Sequence, residues 1–489
     1  MNFISGESRN QITLLPDSID DYVAEDNSVR VIEVYINNLN LSDLKFAKPQ
    51  PNETGRPMYD PKDMLKLYVY GYMNRIRSSR RLETETKRNL EVIWLLRKLS
   101  PDHKTISKFR RENAEALKNV FRDFVKLCLK LELYGKELVA IDGSKFSAVN
   151  SKDRNLSANE LNERIKRLSA RIDEYLHQLD EVDECEDCKC DDMDGSQIKQ
   201  IVERLTVRKN TYESYLEEFK SNGETQISLT DPEAKMMRNA SGFDVSYNVQ
   251  ISVDSKYKLI AEFNVTNCGN DMNQLSDMAI STAEILETDN LTATADTGYN
   301  NASEIAECIA NGITPQVIGS GGSMCVPCSV DEAQAIISHE NGLGIYIKER
   351  NIVICPMGKI MYPGCYKKGS GQVRYYNGNA CSMCACKCTN AKYRTFDIKM
   401  KKCEFSKEHN ADNLYVKQVH INPNSEVTDK RKSLVEHPFG TVKRIMDAGY
   451  LLTKGIKNAT GEFSLVFLAY NLKRVINIIG VKKLIEAVI

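Results

Sequence analysis

Val139-Ala140-Ile141-Asp142-Gly143-Ser144 decides the fold, because it sets a lone acid at the end of a short apolar run. The pattern returns in Ala293-Thr294-Ala295-Asp296-Thr297-Gly298-Tyr299. Short apolar runs bounded by turn residues read as buried strands, and a sheet presents ligands where its strands end. A third acid, Glu436, opens Glu436-His437-Pro438-Phe439-Gly440-Thr441-Val442-Lys443-Arg444. That run reads as the beginning of a helix, with Lys443 and Arg444 one to two turns later as phosphate binders. Carboxylates are hard oxygen ligands suited to Mg²⁺ or Mn²⁺, which keep positions open for phosphate and water. Three of them on core elements make a site for two such ions, and phosphodiester chemistry fits it. Taken singly, each is better explained as a cap or turn residue, and Asp231, Asp244, Asp254 and Asp271 show how common such acids are.

Outward from the two aspartates, the sequence predicts an α/β domain with a mixed sheet. Phe243, Val245, Tyr247, Val249, Ile251 and Val253 sit at period two, as in a strand with one buried face. A strand over 259–265, a helix through Leu275 to Leu286, the strand ending at Asp296, a helix over 303–310 and a strand over 314–318 follow. Gly319-Ser320-Gly321-Gly322 lacks a following helix start and is no phosphate loop. Between Asp142 and this run, Leu161, Ile165, Leu168, Ile172, Tyr175, Leu179 and Val182 form a heptad seam. Ile198, Val202, Leu205, Tyr212, Leu216 and Phe219 supply the returning arm of an inserted antiparallel helical hairpin. Cys185, Cys188 and Cys190 at its tip are three candidate metal ligands without an obvious fourth.

From about Pro57 to Leu131 the chain reads as helices, with Arg80, Arg81, Lys108, Arg110 and Arg111 making a basic face. Such a unit suits DNA contact, and equally a solvated helical surface. Later, Cys355, Cys381, Cys384 and Cys388 have structural-zinc spacing, with Cys365 and Cys386 as substitutes. Polar, Gly-rich sequence between them predicts a segment stapled by Zn²⁺ rather than by a core. Cys325 and Cys328 form a weaker, isolated pair.

The 489 residues, 42% hydrophobic and 27% charged, have the composition of a globular protein, and no apolar run is long enough to span a bilayer. The start, Met1-Asn2-Phe3-Ile4-Ser5-Gly6-Glu7, lacks a signal-peptide pattern. A reducing, cytoplasmic setting is therefore expected, with the 15 cysteines as thiols or metal ligands. A net charge of −1 does not decide for or against nucleic acid.

Together these motifs resemble a DDE transposase of bacterial insertion sequences, over roughly 55–475. Gly55-Arg56-Pro57 through Asp60-Pro61 to Ser78-Ser79-Arg80-Arg81-Leu82-Glu83, and Pro101-Asp102-His103-Lys104-Thr105-Ile106-Ser107-Lys108-Phe109-Arg110, look like the family's helical domain. Asp142-Gly143-Ser144-Lys145 and Ala295-Asp296-Thr297-Gly298-Tyr299 look like its first two catalytic acids. Glu436 with Lys443 fits the Glu-x6-Lys half of its Tyr-Arg-Glu-Lys signature. Lys432 stands in the arginine's place, Arg431 is one residue too far upstream, and no matching tyrosine precedes them.

The resemblance implies an RNase H-like core, with Asp142, Asp296 and Glu436 holding two Mg²⁺ or Mn²⁺ ions. It implies cleavage at an element's ends and joining of the 3′-hydroxyl to target DNA, with Lys443, Arg444, Arg431 and Lys432 near the DNA backbone. The partners are double-stranded DNA and a second copy of the chain, with no membrane; bound to DNA, the protein would be nucleoid-associated. The expected organisation is a helical DNA-binding domain at 1–132, core parts at 133–154 and 229–320, the hairpin at 155–228, the Cys-rich insertion at 321–427, and C-terminal helices at 428–489. A metal-dependent nuclease or a non-catalytic DNA-binding relative are the alternatives.

Overall fold

Two compact units, Cys128–Phe439 and Met1–Leu127 with Gly440–Ile489, make up the chain. A computed structural model describes residues 18–47, 58–149, 155–184, 195–222, 226–239, 242–320, 322–328, 345–347, 352–357, 359–367, 370–384, 389, 391–399, 415–421 and 423–489. The segment at 55–57, the hairpin-tip cysteines, Cys386 and Cys388 lie outside these residues.

The helical unit begins with α1 (Ser28–Asn38), α2 (Pro61–Met73), α3 (Ser79–Arg88), α4 (Leu90–Leu95), α5 (His103–Glu112) and α6 (Ala114–Lys130), the last reaching into the second unit. Short polar side chains start several of them. Asn27 accepts the Val29 amide at 2.9 Å, Asp60 that of Lys62 at 2.8 Å ahead of Pro61, and Asp102 that of Lys104 at 2.9 Å. The sequence starts the helices near Pro57; α1 extends them upstream, burying Val29, Val31, Ile32, Tyr35 and Ile36.

The second unit is mixed α/β. Its main sheet comprises β1 (Leu138–Ser147), β4 (Lys235–Asn239), β5 (Gly242–Asp254), β6 (Ile260–Thr266), β7 (Thr292–Ala295) and β8 (Thr314–Val317). Across it the order runs β4-β5-β1-β7-β8, with β6 also on β5. The β1, β4 and β6 pairings with β5 are antiparallel, whereas β1, β7 and β8 run parallel. Helices α9 (Leu275–Leu286) and α10 (Ala302–Ala310) supply the crossovers. At the hairpin's base, β2 (Asn155–Ser157) pairs with β3 (Gln226–Ser228). Between them α7 (Ala158–Glu184) and α8 (Gly195–Asn222) pack Leu161 and Leu168 with Tyr212 and Phe219.

Two expectations about these strands need correction. β1 does not end at Asp142. Gly143-Ser144 looks like a turn, yet the β5 ladder continues to Ser147↔Ser246 and carries the strand through it. Nor is β5 buried on one face only: Ser246, Asn248, Gln250, Ser252 and Asp254, the polar counter-phase, are fully buried.

The Cys-rich region also departs from expectation. β9 (Gly322–Cys328) pairs with β15 (Tyr415–Ile421). Strands β10 (Ile345–Ile347), β11 (Ile352–Ile354), β12 (Ile360–Lys367), β13 (Gln372–Tyr376) and β14 (Thr395–Lys399) form a separate antiparallel sheet. It does build a core. Tyr346, Val353, Met361, Val373, Tyr375, Phe396 and Ile398 pack together, because alternation along the strands gathers scattered apolar residues on one face.

Beyond β15 comes α11 (Ser425–Gly440), followed by a single π turn at Thr441–Ile445. Glu436 therefore lies near the end of a helix rather than at its beginning. Pro438 lacks the amide for the Leu434 carbonyl, so regular helix gives way there. The chain closes with α12 (Ile456–Ile479) and α13 (Val481–Val488), within the helical unit. A Cβ on Gly461 would stand 2.8 Å from Ala114 Cα, so α12 packs closely on the start of α6. Arg77 meets Glu462 at 2.7 Å inside this unit. No single helix among the described residues is long and apolar enough to cross a membrane.

Candidate active site

Parallel pairing of β1 with β7 matches Leu138↔Thr292, Val139↔Ala293 and Ala140↔Thr294. Two residues further along that register stand Asp142 and Asp296. Asp296 ends β7 as expected and caps the 3₁₀ turn Thr297–Tyr299, accepting the Gly298 amide on Oδ1 at 2.8 Å. Asp142 Oδ1 accepts the Gly143 amide at 2.9 Å. Arg431, from α11, places Nη1 3.3 Å from Asp142 Oδ2 and 4.0 Å from Asp296 Oδ2. Burial pushes the Asp142 carboxyl up to about 6; Arg431 and the Gly143 amide oppose this, while Asp296 and Asp271 add to it.

Asp271 is a site residue that sequence reasoning set aside. It accepts hydrogen bonds from Asn248 Nδ2 and Gln250 Nε2, both at 2.7 Å, and pairs with Lys145 Nζ at 3.3 Å. The Tyr299 hydroxyl donates to Gln250 Oε1, so the network joins β1, β5 and the turn after β7. Burial first, then the charges of Asp271, Asp142 and Asp296, hold the Tyr299 hydroxyl well above its ordinary range. Asn248 and Gln250, polar residues in a strand with apolar alternation, were the available signal; alternation alone cannot distinguish a buried polar face from a wet one.

Glu436 does not join the pair. Its side chain is 66% exposed and lies 3.8 Å from Lys432. Leu434, Val435, Pro438 and Phe439 form the buried stripe of α11. Among the described residues, no three His, Cys, Asp or Glu side chains come close enough to hold a metal. The two aspartates nevertheless fit a hard divalent cation. Both approach one positive group, and burial and mutual repulsion oppose ionisation of Asp142 despite that group.

The basic residues divide. Lys432, Arg444, Arg80, Arg81 and Lys108 are exposed, with Lys108 lying 3.8 Å from Glu112. Lys443, in the π turn, is half-buried. Arg110 cannot serve as a surface contact: it is buried, donates to the Tyr72 hydroxyl at 2.8 Å and stacks over Tyr68. A helix of mixed charge hides which arginine faces inward until its packing is known.

Of the proposed zinc ligands, Cys355 is buried in the apolar cluster and accepts the Lys359 amide at 3.3 Å. Cys381 packs against that cluster, and Cys384 is half-exposed.

Two family models match the chain. The family model Transposase domain (DUF772) matches residues 17–112, and Transposase DDE domain matches residues 354–476. The second match contains Arg431, Glu436 and Lys443 and neither aspartate. One similar solved structure is a cryo-EM structure of the piggyBac transposase synaptic complex with hairpin DNA. Its TM-score is 0.27 at 7% identity, covering 95% of this chain and 79% of that one, a likeness too low to carry argument. No curated protein matches the chain.

Proposed function

We propose that this chain, a DDE transposase by the two domains it matches, cuts the ends of an insertion sequence and joins them to target DNA. The observation that carries the reading is the placement of Asp142 and Asp296 side by side on adjacent parallel strands, both facing Arg431 Nη1. The order β6-β5-β1-β7-β8, with β5 alone antiparallel to β1 and the last three strands parallel, supports an RNase H-like core.

Asp142 and Asp296 would hold divalent metal, with Glu436 as a third ligand once it leaves Lys432. When bound, two Mg²⁺ or Mn²⁺ ions supply activation of the attacking oxygen and stabilisation of the leaving one. The chain contributes fixed geometry. Gly298 holds Oδ1 of Asp296 and Gly143 holds Oδ1 of Asp142, while each Oδ2 lies toward Arg431. Lys432, Lys443 and Arg444 would hold backbone phosphate by charge, and Arg80, Arg81 and Lys108 would contact DNA from the helical unit. Pairing two element ends would use two copies of the chain. Structural zinc at Cys355, Cys381, Cys384 and Cys388 has only their spacing behind it; metal analysis of the purified protein tests it.

The deciding experiment is Mg²⁺-dependent cleavage and strand transfer on a labelled duplex carrying the element's own end, with Asp296→Asn for comparison. Joined products that vanish in the variant are expected. Cleavage without joining would move the assignment to a nuclease, and specific binding without chemistry to a DNA-binding relative.

A further inference from the structure

Two buried or half-buried carboxylates at one sheet edge repel each other, and the cost is severe unless a cation lies beside them. Here that cation is the protein's own. Arg431 is 15% exposed and Asp142 23% exposed, so their contact is largely shielded from water. Yet Nε and Nη1 of Arg431 are buried and make no hydrogen bond among the described residues. A guanidinium built into a permanent pair uses its fork. Arg374 does so in this protein, donating from Nε and Nη2 to the two oxygens of Asp397 at 2.7 Å each. Among the described residues, Arg431 is held by charge.

Its backbone, by contrast, is fixed. Lys258 Nζ donates to the Ser433 carbonyl at 3.0 Å, and the Asn424 amide donates to Gln316 Oε1 at 2.6 Å, tying α11 to the sheet. Leu434 and Val435 are buried on the same helix. Only the side chain needs to turn for the guanidinium to leave.

We propose that Arg431 is a positioning residue, the resident counter-cation of Asp142 and Asp296, which a divalent ion exchanges with on entering. The inference rests on those aspartates being metal ligands. It makes Arg431 a competitor for the site. Removing its charge should tighten metal binding, an outcome that a purely structural arginine would not give.

The test is titration of the full chain with Mn²⁺ alone, reading free Mn²⁺ by electron paramagnetic resonance, for wild type, Arg431→Gln and Asp142→Asn. Arg431→Gln is expected to bind about tenfold or more tightly, from the loss of one opposing charge, while Asp142→Asn loses the site. Equal or weaker binding by Arg431→Gln, with Asp142-dependence intact, overturns this inference and leaves the proposed function standing. Binding unchanged in Asp142→Asn overturns both. Should Arg431→Gln fail to fold, Arg431→Met keeps the stem length and packing without the charge and decides by the same criterion.

Discussion

Gly143 lies against Asp271: a Cβ built on the glycine would stand 2.7 Å from Asp271 Oδ1 and 2.2 Å from Gln250 Nε2. The residue after Asp142 must therefore be small for the network to close. Gly143→Ala is expected to cost about 1–3 kcal/mol through overpacking and to lower metal-dependent cleavage. Urea unfolding and the duplex assay check this; wild-type values in both would refute the close packing.

Asp271 itself anchors two buried amides. In Asp271→Ala the side chains of Asn248 and Gln250 lose their shared acceptor, at a cost of about 1–3 kcal/mol. Asp271→Asn keeps the shape but loses the Lys145 ion pair, so it should fall between wild type and alanine. Equal unfolding midpoints for the two variants would show that the charge, not the acceptor, matters.

Asp142 gives a pH signature. Its folded-state carboxyl, at about 6, lies above its ordinary 3.8, chiefly through burial. The native state therefore binds the proton more tightly, and stability falls as pH rises between those values. In chelator, Asp142→Asn should gain stability on the order of 3 kcal/mol at pH 8 as an upper bound, reduced by what Arg431 loses. The gain should fade below pH 6 and be absent under about pH 4. Thermal scans across that range measure it, and a gain independent of pH would contradict the assigned environment.

Glu462 behaves oppositely. Burial raises its carboxyl, but Arg110 and Arg77 pull it further down, so it ends below its ordinary range. Its contribution is present above the unfolded value and is lost as pH falls through the folded one. Breaking this buried pair by Glu462→Gln should cost about 3–5 kcal/mol at pH 7 and less in acid. A small, pH-independent effect in urea unfolding would contradict the pairing with Arg77.

Glu436 separates stability from chemistry. Exposed and facing Lys432 across one helical turn, it should tolerate Glu436→Gln within about 0.5 kcal/mol. Strand cleavage should nonetheless be lost if it completes the metal site. Full activity in the variant would remove it from that role.

The two strand acids stood out in the sequence as a set, each closing an apolar run, whereas either alone reads as a cap or turn residue. Their mutual register was not, since parallel pairing is a long-range fact. Asp271 was hidden because its partners are amides of β5, where alternation alone does not tell a buried polar face from a wet one. Arg431 was legible as a basic residue near Glu436, but helical phase, not spacing in the signature, turns it toward the aspartates. The polar, Gly-rich sequence between the cysteines suggested a segment without a core, while Tyr375, Phe396 and Val373 were building one.

The helical unit draws its members from sequence before and after the sheet unit, and α12 packs against α2 inside it. On a ribosome, α2 emerges long before its partner exists. At ~5–20 residues per second, the intervening Cys128–Phe439 takes roughly 15–60 s to make. For that interval α2 lacks the helix that packs against it. The nascent chain thus has a timed vulnerability, and chaperone capture should be concentrated on it before α12 is complete.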